Sequence, residues 1–395
     1  MLRPGSPIET PDLTLSDAIK TEPVRPAKRS VALVYWGRQG GGAALLTRIA
    51  RAMTRDPRLD LSVSYSRQSE VETGELDGIR SFPIDTFAGA ASFITRSFAA
   101  PGKVNRVIER MRDSGIDTIA TIMPHVWGGL LLRAARRAGI RTALFVHDAD
   151  PHPGERRPIL DFLARREIRE SDLIVTLSDH VAERLLARGD VEEDRLVRLY
   201  HPILDYAPPS PRSARPRPFR LLFFGRILPY KGLPLLLEAF RRLRTEGLEC
   251  SLTVAGRGRI EAPAELLNQP GLAIQTGWIA PAKIGDLLAE ADAMVLPYRE
   301  ASQSGVVAAA YGSGLPVIAT PVGGLTEQVA ADETGILAEA PTAEALAQAI
   351  RRLVESPELY ETCRTGVARY ADAHSAARFA VALGDALLDR SAGNG

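Results

Sequence analysis

The amino-acid sequence predicts an α/β protein made of two Rossmann-like domains, each with a parallel β-sheet covered by helices. The first observation is length, because 395 residues exceed the usual size of one domain. The second is an alternation of short apolar runs with amphipathic segments through both halves, which is typical of parallel sheets. The third is a proline-rich segment at 207–218 that separates the halves and predicts a stiff linker.

The amino-terminal domain is predicted over residues 29–206, after a flexible tail at 1–28 that is rich in proline, charge and small polar residues. Its apolar runs have the length of buried strands. The predicted strands are 31–36, 61–65, 118–123, 141–147 and 173–177, and the predicted helices are 43–55, 104–112, 128–138, 158–170 and 180–188. The carboxyl-terminal domain is predicted over 219–374, where a second alternating series runs.

Composition excludes several classes of protein. A net charge of +1 opposes nucleic-acid binding driven by bulk electrostatics, so no nucleic-acid partner is predicted. Two cysteines, Cys250 and Cys363, cannot form a disulfide framework, which favours a reducing cytoplasm. No apolar run approaches the roughly 20 residues of a membrane span, and the amino terminus is expected to carry no secretory signal.

The segment 219–232 is the most informative stretch of the chain. An apolar run predicts a buried strand that ends at Gly225, and an amphipathic helix is predicted over 233–243. The loop between them therefore lies at the carboxyl edge of a sheet, where open α/β sheets bind ligands. Arg226 and Lys231 on this loop suit an anionic ligand such as a diphosphate. From these residues alone, a plain strand–loop–helix with two solvated cations is the alternative.

Further motifs follow this loop in a fixed order. They are Ala293-Met-Val-Leu-Pro-Tyr, Ser302-Gln-Ser-Gly-Val, Gly314-Leu-Pro-Val-Ile-Ala-Thr-Pro-Val-Gly-Gly-Leu-Thr-Glu and Gly335-Ile-Leu. Together with the loop, they resemble the donor-binding domain of GT-B glycosyltransferases, specifically the retaining family 4 (glycosyl transferases group 1). The resemblance is strong over 219–337 and weak in the amino-terminal half. It implies the GT-B fold, with two parallel sheets facing each other across a cleft and a last helix at 375–395 that crosses back onto the first domain.

The resemblance assigns a nucleotide-sugar donor to the second domain. Arg226 and Lys231 would stabilise the departing diphosphate, helped by free backbone amides at the start of a helix near Gly305. Because protein cations neutralise the diphosphate in this family, neither a metal nor another cofactor is predicted. From the residues alone, an ordinary helix cap is the better interpretation of 302–305, and Trp278 is equally a packed core tryptophan. The full set of predicted donor contacts is Gly225, Arg226, Lys231, Gly256, Arg257, Trp278, Ile279, Ser302, Gln303, Ser304, Gly305, Val306 and Glu327.

The sequence departs from the family pattern at one point. Most resembling enzymes have two glutamates eight residues apart, and these positions hold Ala301 and Ala309 here. Glu300 lies one residue from the first position. Because the second glutamate normally holds the nucleotide ribose, the ribose contact is unassigned, with Glu327 as a substitute or as an ordinary acid in a first helical turn. The Ser-Gln-Ser-Gly version is interpreted as a subgroup of the family.

Candidate acceptor-side residues lie at predicted strand ends of the first domain. His147 ends an apolar strand, where a neutral imidazole can hydrogen-bond a sugar hydroxyl. Since the family keeps a histidine near here that touches the donor sugar, His147 is predicted to be catalytic, together with Arg226 and Lys231. The alternative is that His147 only caps its strand. The other candidates are Gly41, Gly42, His125, Asp148, His152 and Glu155, of which the glycines equally suit a tight turn.

The predicted function is a metal-independent retaining glycosyltransferase that moves a sugar from a UDP- or GDP-sugar to a glycan or lipid-linked acceptor, in bacterial surface polysaccharide assembly. Two alternatives stay open, a GT-B nucleotide-sugar epimerase and a non-catalytic nucleotide- or sugar-binding protein. The apolar segment 86–100, which basic residues follow, either rests on anionic lipid or packs on the sheet. The expected location is cytoplasmic, with peripheral contact at the inner face of the plasma membrane as an option.

Overall fold

The structure of the protein is a computed structural model that describes residues 28–152, 158–206 and 218–389. The predicted tail, except for its last residue, and the predicted linker, except for Pro218, lie outside these ranges. The candidate residue Glu155 and the final residues 390–395 of the predicted last helix lie outside them as well.

The first half of the described chain forms one sheet of seven parallel strands, in the order β3-β2-β1-β4-β5-β6-β7. The strands are β1 (Arg29–Tyr35), β2 (Leu59–Tyr65), β3 (Arg80–Ser81), β4 (Thr118–Thr121), β5 (Arg141–Val146), β6 (Leu173–Thr176) and β7 (Leu196–Arg198). The helices are α1 (Gly41–Met53), α2 (Ala90–Phe98), α3 (Ala100–Asp113), α4 (Gly128–Arg137), α5 (Pro158–Glu170) and α6 (Asp179–Ala187). The short strands β3 and β7 were not predicted, because two or three residues carry no alternation that a sequence pattern can show.

The second half forms a sheet of six parallel strands, in the order β10-β9-β8-β11-β12-β13. The strands are β8 (Phe219–Phe224), β9 (Cys250–Gly256), β10 (Leu272–Thr276), β11 (Ala293–Leu296), β12 (Val317–Ala319) and β13 (Gly335–Leu337). The helices are α7 (Leu233–Thr245), α8 (Ala264–Leu267), α9 (Pro281–Glu290), α10 (Gly305–Gly312), α11 (Leu325–Gln328), α12 (Ala343–Glu355), α13 (Pro357–Ala373) and α14 (Ala376–Asp389). Three-residue or four-residue 3₁₀ turns lie at Thr73–Leu76, Glu193–Arg195 and Pro229–Lys231.

Helices bury both faces of the central strands, which explains their continuous apolar sequences. The strands β1 and β11 illustrate this, since Leu33 and Leu296 are both fully buried. The strand β10 is the exception, because it lies at a sheet edge and most of its side chains are exposed. The predicted α/β class with two parallel sheets is therefore confirmed. In the part of the chain that the structure describes, no helix combines the length and apolar character that crossing a membrane requires.

The strand order reverses at one point in each sheet, between β1 and β4 in the first and between β8 and β11 in the second. In parallel sheets, a crevice opens outside the carboxyl ends of the strands at such a reversal. The loops that follow these strands lie at 36–40, 122–127, 225–232 and 297–304. Of the candidate residues, these loops contain His125, Gly225, Arg226, Lys231, Ser302, Gln303 and Ser304.

The helix α14 returns to the first half and packs against α1. The Arg58 guanidinium lies 2.8 Å from the Asp385 carboxylate, and the ring centroid of Phe379 lies 6.3 Å from that of Phe145 in β5. The last helix of the chain thus completes the core of the amino-terminal sheet. The predicted domain limits stay predictions, although the two sheets divide the chain between β7 and β8.

Candidate active site

Hydrogen bonds between described residues join the loops of one sheet to the loops of the other. The contacts therefore enclose a cleft between the carboxyl edges of the two sheets. The pairs that meet across the cleft are Gln39 with Arg257, His147 with Gln303, His152 with Glu300, Ser178 with Ser302, and the amides of Asp179 and His180 with Glu327.

The loop after β8 brings its two cations together around one tyrosine. Gly225 ends the strand with a φ of 125°, in the region that favours glycine. The Arg226 guanidinium donates to the hydroxyl of Tyr230 at 3.2 Å. The Lys231 ammonium lies 5.1 Å from the Tyr230 ring centroid and 3.7 Å from that of Tyr298, which is a cation–π distance. Arg226 is exposed, and Tyr230 of the same loop stacks on His152 of the other half, so the two cations lie beside the cleft.

The helix α10 begins beside this cationic loop. A Cβ atom on Gly225 would lie 3.6 Å from the side chain of Val306, so the two segments are in contact. The amides of Gly305 and Val306 are the first two of the helix and have no partner within it. The amide of Ser304 donates to Gln328 Oε1 at 2.7 Å, and Gln328 Nε2 donates back to the Ser304 carbonyl. Positive charge from two side chains and a helix start thus lies at one edge of the cleft.

His147 lies buried between the two halves of the molecule. Its Nε2 lies 2.8 Å from the Ile122 carbonyl, and its Nδ1 lies 3.2 Å from Gln303 Nε2. Burial lowers the pKa of His147, although the Ile122 carbonyl opposes this shift. The ring is therefore neutral near pH 7, and both of its nitrogens have hydrogen-bond partners within the protein.

His152 is held by one carboxylate from each sheet. Its Nε2 lies 3.1 Å from Asp148 Oδ1, its Nδ1 lies 3.4 Å from Glu300 Oε1, and its ring stacks on Tyr230 at 4.1 Å. Burial alone would lower the pKa of His152, but the two carboxylates outweigh burial and raise it. Burial likewise opposes the effect of His152 on Asp148, whose pKa is nevertheless lowered. Both residues were predicted on the acceptor side, and the structure places them in contact with the donor-side half.

Glu327 lies in the first turn of α11, which is one of its two predicted alternatives, and its carboxylate contacts the other half of the molecule. Its carboxylate accepts hydrogen bonds from the amides of Asp179 at 2.8 Å and His180 at 2.6 Å, at the start of α6. Because α6 belongs to the other half, the carboxylate caps a helix across the cleft.

The predicted base-side residues lie together at the exposed end of β9 and β10. Gly256 ends β9, and Arg257 follows it with its guanidinium 5.9 Å from the ring of Trp278. The guanidinium also donates to Gln39 Oε1 at 3.0 Å. Trp278 is 41% exposed, so it is not the packed core tryptophan that was the alternative. Ile279, by contrast, is half-buried against the core.

His125 lies in an aromatic cluster on the amino-terminal side. Its ring stacks on Phe87 at 5.5 Å and meets the edges of Trp36 and Trp127 at 6.0 and 5.6 Å. Burial lowers the pKa of His125 to about 4. Because Trp36 and Trp127 are buried, His125 packs as a neutral ring within an aromatic cluster.

The two candidate glycines differ in what they contact. A Cβ atom on Gly42 would lie 2.4 Å from the ring of Tyr35, so a larger residue there would displace the tyrosine. Gly41 is the first residue of α1 and has no described atom within 4 Å of its Cβ position. Packing therefore explains Gly42, whereas Gly41 leaves space for a ligand at the start of the helix.

Several residues of the cleft were not among the predicted contacts. Tyr230 had a signal, because it lies between the two predicted cations, and Glu300 had one, because it is next to a position where the family has glutamate. Gln39, Ser178 and Gln328 had none, since an isolated polar residue belongs to no sequence pattern. No group of three or more His, Cys, Asp or Glu side chains within the described ranges is arranged to hold a metal ion.

Two family models match this chain and together take in most of it. Residues 40–201 match the glycosyl transferase 4-like domain, and residues 218–356 match glycosyl transferases group 1. The first match covers the first sheet from β2 onward, and the second covers all six strands of the second sheet.

Curated relatives carry glycosyltransferase names. The chain is 28% identical over 277 residues to a D-inositol 3-phosphate glycosyltransferase of Rhodococcus opacus (strain B4), covering 62% of this chain and 59% of that protein. It is 26% identical over 272 residues to a GDP-mannose-dependent alpha-(1-6)-phosphatidylinositol dimannoside mannosyltransferase of Mycobacterium tuberculosis (strain ATCC 25177 / H37Ra), covering 65% and 70%. The chain thus spans less than two thirds of the length of the Rhodococcus protein.

A solved structure shares the whole architecture. Anabaena Alr3699/HepE, crystallised with UDP and glucose, superposes with a TM-score of 0.69 over 91% of this chain and 99% of its own, at 16% sequence identity. Together with the two sheets described above, this similarity confirms the predicted GT-B fold.

Proposed function

We propose that this chain, which belongs to the glycosyltransferases through both of its domains, moves a sugar from a UDP- or GDP-sugar to a glycan or lipid-linked acceptor with retention of configuration. The observation that carries the proposal is the convergence of Arg226, Lys231 and the start of α10 at one edge of the cleft. Positive side chains and helix amides at one point suit a diphosphate. Bacterial surface polysaccharide assembly is the pathway we propose for the product.

The proposed reaction replaces one bond to the anomeric carbon by another on the same face. The bond from this carbon to the diphosphate oxygen breaks, and the acceptor oxygen forms the new bond. The acceptor proton passes to the departing phosphate oxygen. Because negative charge grows on the diphosphate as its bond breaks, Arg226 and Lys231 bind the transition state more tightly than the ground state.

The His147–Gln303 pair and the base-side residues would lie at the two ends of the donor. The neutral ring of His147 lies across the cleft from the start of α10, where the sugar next to a diphosphate would lie. Trp278 is exposed beside Arg257, so its ring is available to stack on a nucleobase. The relatives named above act with GDP-mannose or bind UDP, and we propose these two bases as the candidates.

Calorimetric titration with UDP, GDP, UDP-glucose and GDP-mannose tests the donor site. We expect the native chain to bind one nucleoside diphosphate selectively. The double variant Arg226→Ala with Lys231→Ala should bind it with at least 100-fold lower affinity, because two charge-assisted contacts are removed. The matched control is Arg241→Ala with Lys283→Ala, which removes the same charge from exposed positions on α7 and α9. Failure of the folded native chain to bind any of the four compounds would contradict the proposal.

A second candidate function is epimerisation of a nucleotide sugar, which would use the same diphosphate site. The observation that favours it is the pair of carboxylates, Asp148 and Glu300, on either side of His152 in the cleft. Such groups can move protons to and from a sugar carbon. Incubation with donor alone separates the two, since an epimerase converts the sugar without an acceptor and a transferase requires one.

We also propose that the acceptor domain touches an anionic membrane. On α2, Ile94 is 62% exposed and Phe98 is 85% exposed, and Arg106 on the following helix is exposed as well. Phe162 on α5 is 66% exposed. Apolar side chains beside cations are typical of a helix that lies in a lipid interface, so the cytoplasmic face of the plasma membrane is the proposed location.

Sedimentation with vesicles of phosphatidylglycerol and phosphatidylcholine tests this contact. We expect Ile94→Ser with Phe98→Ser to lower vesicle binding at least tenfold, because two inserted side chains are lost. The matched control is Val381→Ser, an exposed apolar residue on α14. Equal binding by all three proteins would refute the membrane proposal and leave the transferase proposal intact.

A further inference from the structure

The side-chain amide of Gln303 lies between the two halves of the molecule. Gln303 precedes α10 in the carboxyl-terminal half, and its Nε2 lies 3.2 Å from Nδ1 of His147 at the end of β5. The amide therefore reaches from the donor-side helix start to the candidate catalytic histidine. Neither the family models nor the names of the relatives assign a role to this side chain.

The hydrogen bonds of His147 determine which way the amide of Gln303 points. A carbonyl oxygen only accepts hydrogen bonds, so the 2.8 Å contact with Ile122 requires the proton on Nε2 of the neutral ring. Nδ1 then has only a lone pair and must accept a hydrogen bond. Gln303 therefore presents its NH₂ group to the ring, and its Oε1 points elsewhere.

The Oε1 atom of Gln303 is buried and has no hydrogen-bond partner among the described residues. Buried acceptors in folded proteins nearly always have a partner, so such an atom calls for an explanation. The main chain that follows Gln303 packs tightly against the first half. A Cβ atom on Gly305 would lie 3.2 Å from Nε2 of His201. The unpartnered oxygen thus lies where the helix start of one half meets the other half, next to the proposed diphosphate site.

We propose that Gln303 Oε1 accepts a hydrogen bond from a hydroxyl of the donor sugar, while its NH₂ group fixes the ring of His147. This inference rests on the proposed function, since it takes the ligand to be a nucleotide sugar. It assigns Gln303 to the sugar and not to the diphosphate. It also gives a physical reason for a glutamine within Ser-Gln-Ser-Gly, because a glutamate carboxylate could not donate to Nδ1 of a neutral histidine.

Calorimetric titration separates contact with the sugar from contact with the diphosphate. For native protein and Gln303→Leu, the dissociation constants of UDP, UDP-glucose, GDP and GDP-mannose are compared. We expect the variant to bind the free diphosphate within twofold of native protein and to bind the corresponding nucleotide sugar roughly tenfold more weakly, because one buried hydrogen bond is lost. Gln348→Leu, the same substitution on the exposed face of α12, is the matched control.

Donor analogues in which one sugar hydroxyl at a time is replaced by fluorine identify the partner of Oε1. Fluorine cannot donate, so one analogue should bind native protein roughly tenfold more weakly while Gln303→Leu binds it as well as the parent compound. Gln303→Glu should also lose the preference for the nucleotide sugar over the free diphosphate. If Gln303→Leu keeps that preference, or weakens the free diphosphate equally, the inference is wrong while the proposed function stands. If native protein binds none of the four compounds, the proposed function fails first.

Discussion

His152 binds a carboxylate from each half of the molecule, and this makes it sensitive to pH. Asp148 belongs to its own half and Glu300 to the other, at 3.1 and 3.4 Å from its two ring nitrogens. Both carboxylates favour the protonated ring, and together they raise its pKa against the opposing effect of burial. A raised pKa stabilises the folded, closed molecule below the ordinary histidine value of about 6.5, and this stabilisation is lost as pH rises through the folded value.

We therefore expect His152→Gln to destabilise the protein by about 1–2 kcal/mol at pH 6 and by less at pH 8.5. The reason is that the hydrogen bonds of a charged imidazolium are lost only where the native ring is charged. Differential scanning calorimetry of both proteins at the two pH values measures the difference.

Glu300→Gln gives a second check on the same contact. This substitution removes one of the two carboxylates. The pH dependence of its stability should therefore lie between that of native protein and that of His152→Gln. If the stability of native protein and that of His152→Gln depend on pH in the same way, His152 is not the titrating group.

The first turn of α6 shows how one element depends on the other half of the chain. The amide of Val181 donates to Ser178 Oγ at 3.3 Å within the helix cap. The two preceding amides donate to Glu327 from the opposite half, and Ser178 Oγ donates to the Ser302 carbonyl at 3.0 Å. Helix starts leave their first amides without partners, so a carboxylate placed there stabilises the closed arrangement.

Glu327→Ala should therefore weaken closure of the cleft by about 1 kcal/mol, less at high salt, because the carboxylate is exposed and screened. In the absence of ligand, small-angle X-ray scattering should show a larger radius of gyration for Glu327→Ala than for native protein. Glu339→Ala, at an exposed position of the same half, is the matched control. An unchanged radius in both variants would mean that closure does not depend on this cap.

On the scale of the whole molecule, the last helix joins the two halves. The second sheet begins at β8, and the final helix of the described chain, α14, packs against α1 of the first half. Phe379 is fully buried, with its ring centroid 6.3 Å from Phe145 and 5.7 Å from Tyr200. The stability of the amino-terminal half thus depends on residues at the end of the chain.

Phe379→Ala should lower the free energy of unfolding by about 3–5 kcal/mol, because a large side chain is removed from a packed core. Urea titration followed by circular dichroism measures the loss. Val381→Ala, whose side chain is 54% exposed on the same helix, should change the free energy by less than about 0.5 kcal/mol. Equal effects of the two substitutions would show that α14 does not complete the core.

The sequence by itself determined the class of fold and the cationic loop. Both depend on local patterns. An apolar run of strand length, followed by a glycine turn and a helix, places Arg226 and Lys231 at the edge of a sheet, whatever the position of that sheet in the molecule. The ordered motifs after the loop likewise led to the family whose domain models match the chain.

Only the tertiary structure decided which residues meet across the cleft. Glu327 contacts His180, which is 147 positions away, and Gln303 contacts His147, which is 156 positions away. Neither pair follows a periodicity, since each depends on how one sheet docks on the other. For the same reason, the sequence left Glu327 between a ribose contact and an acid of a first helical turn and assigned Gln303 no partner, whereas the docked halves give each residue a specific contact.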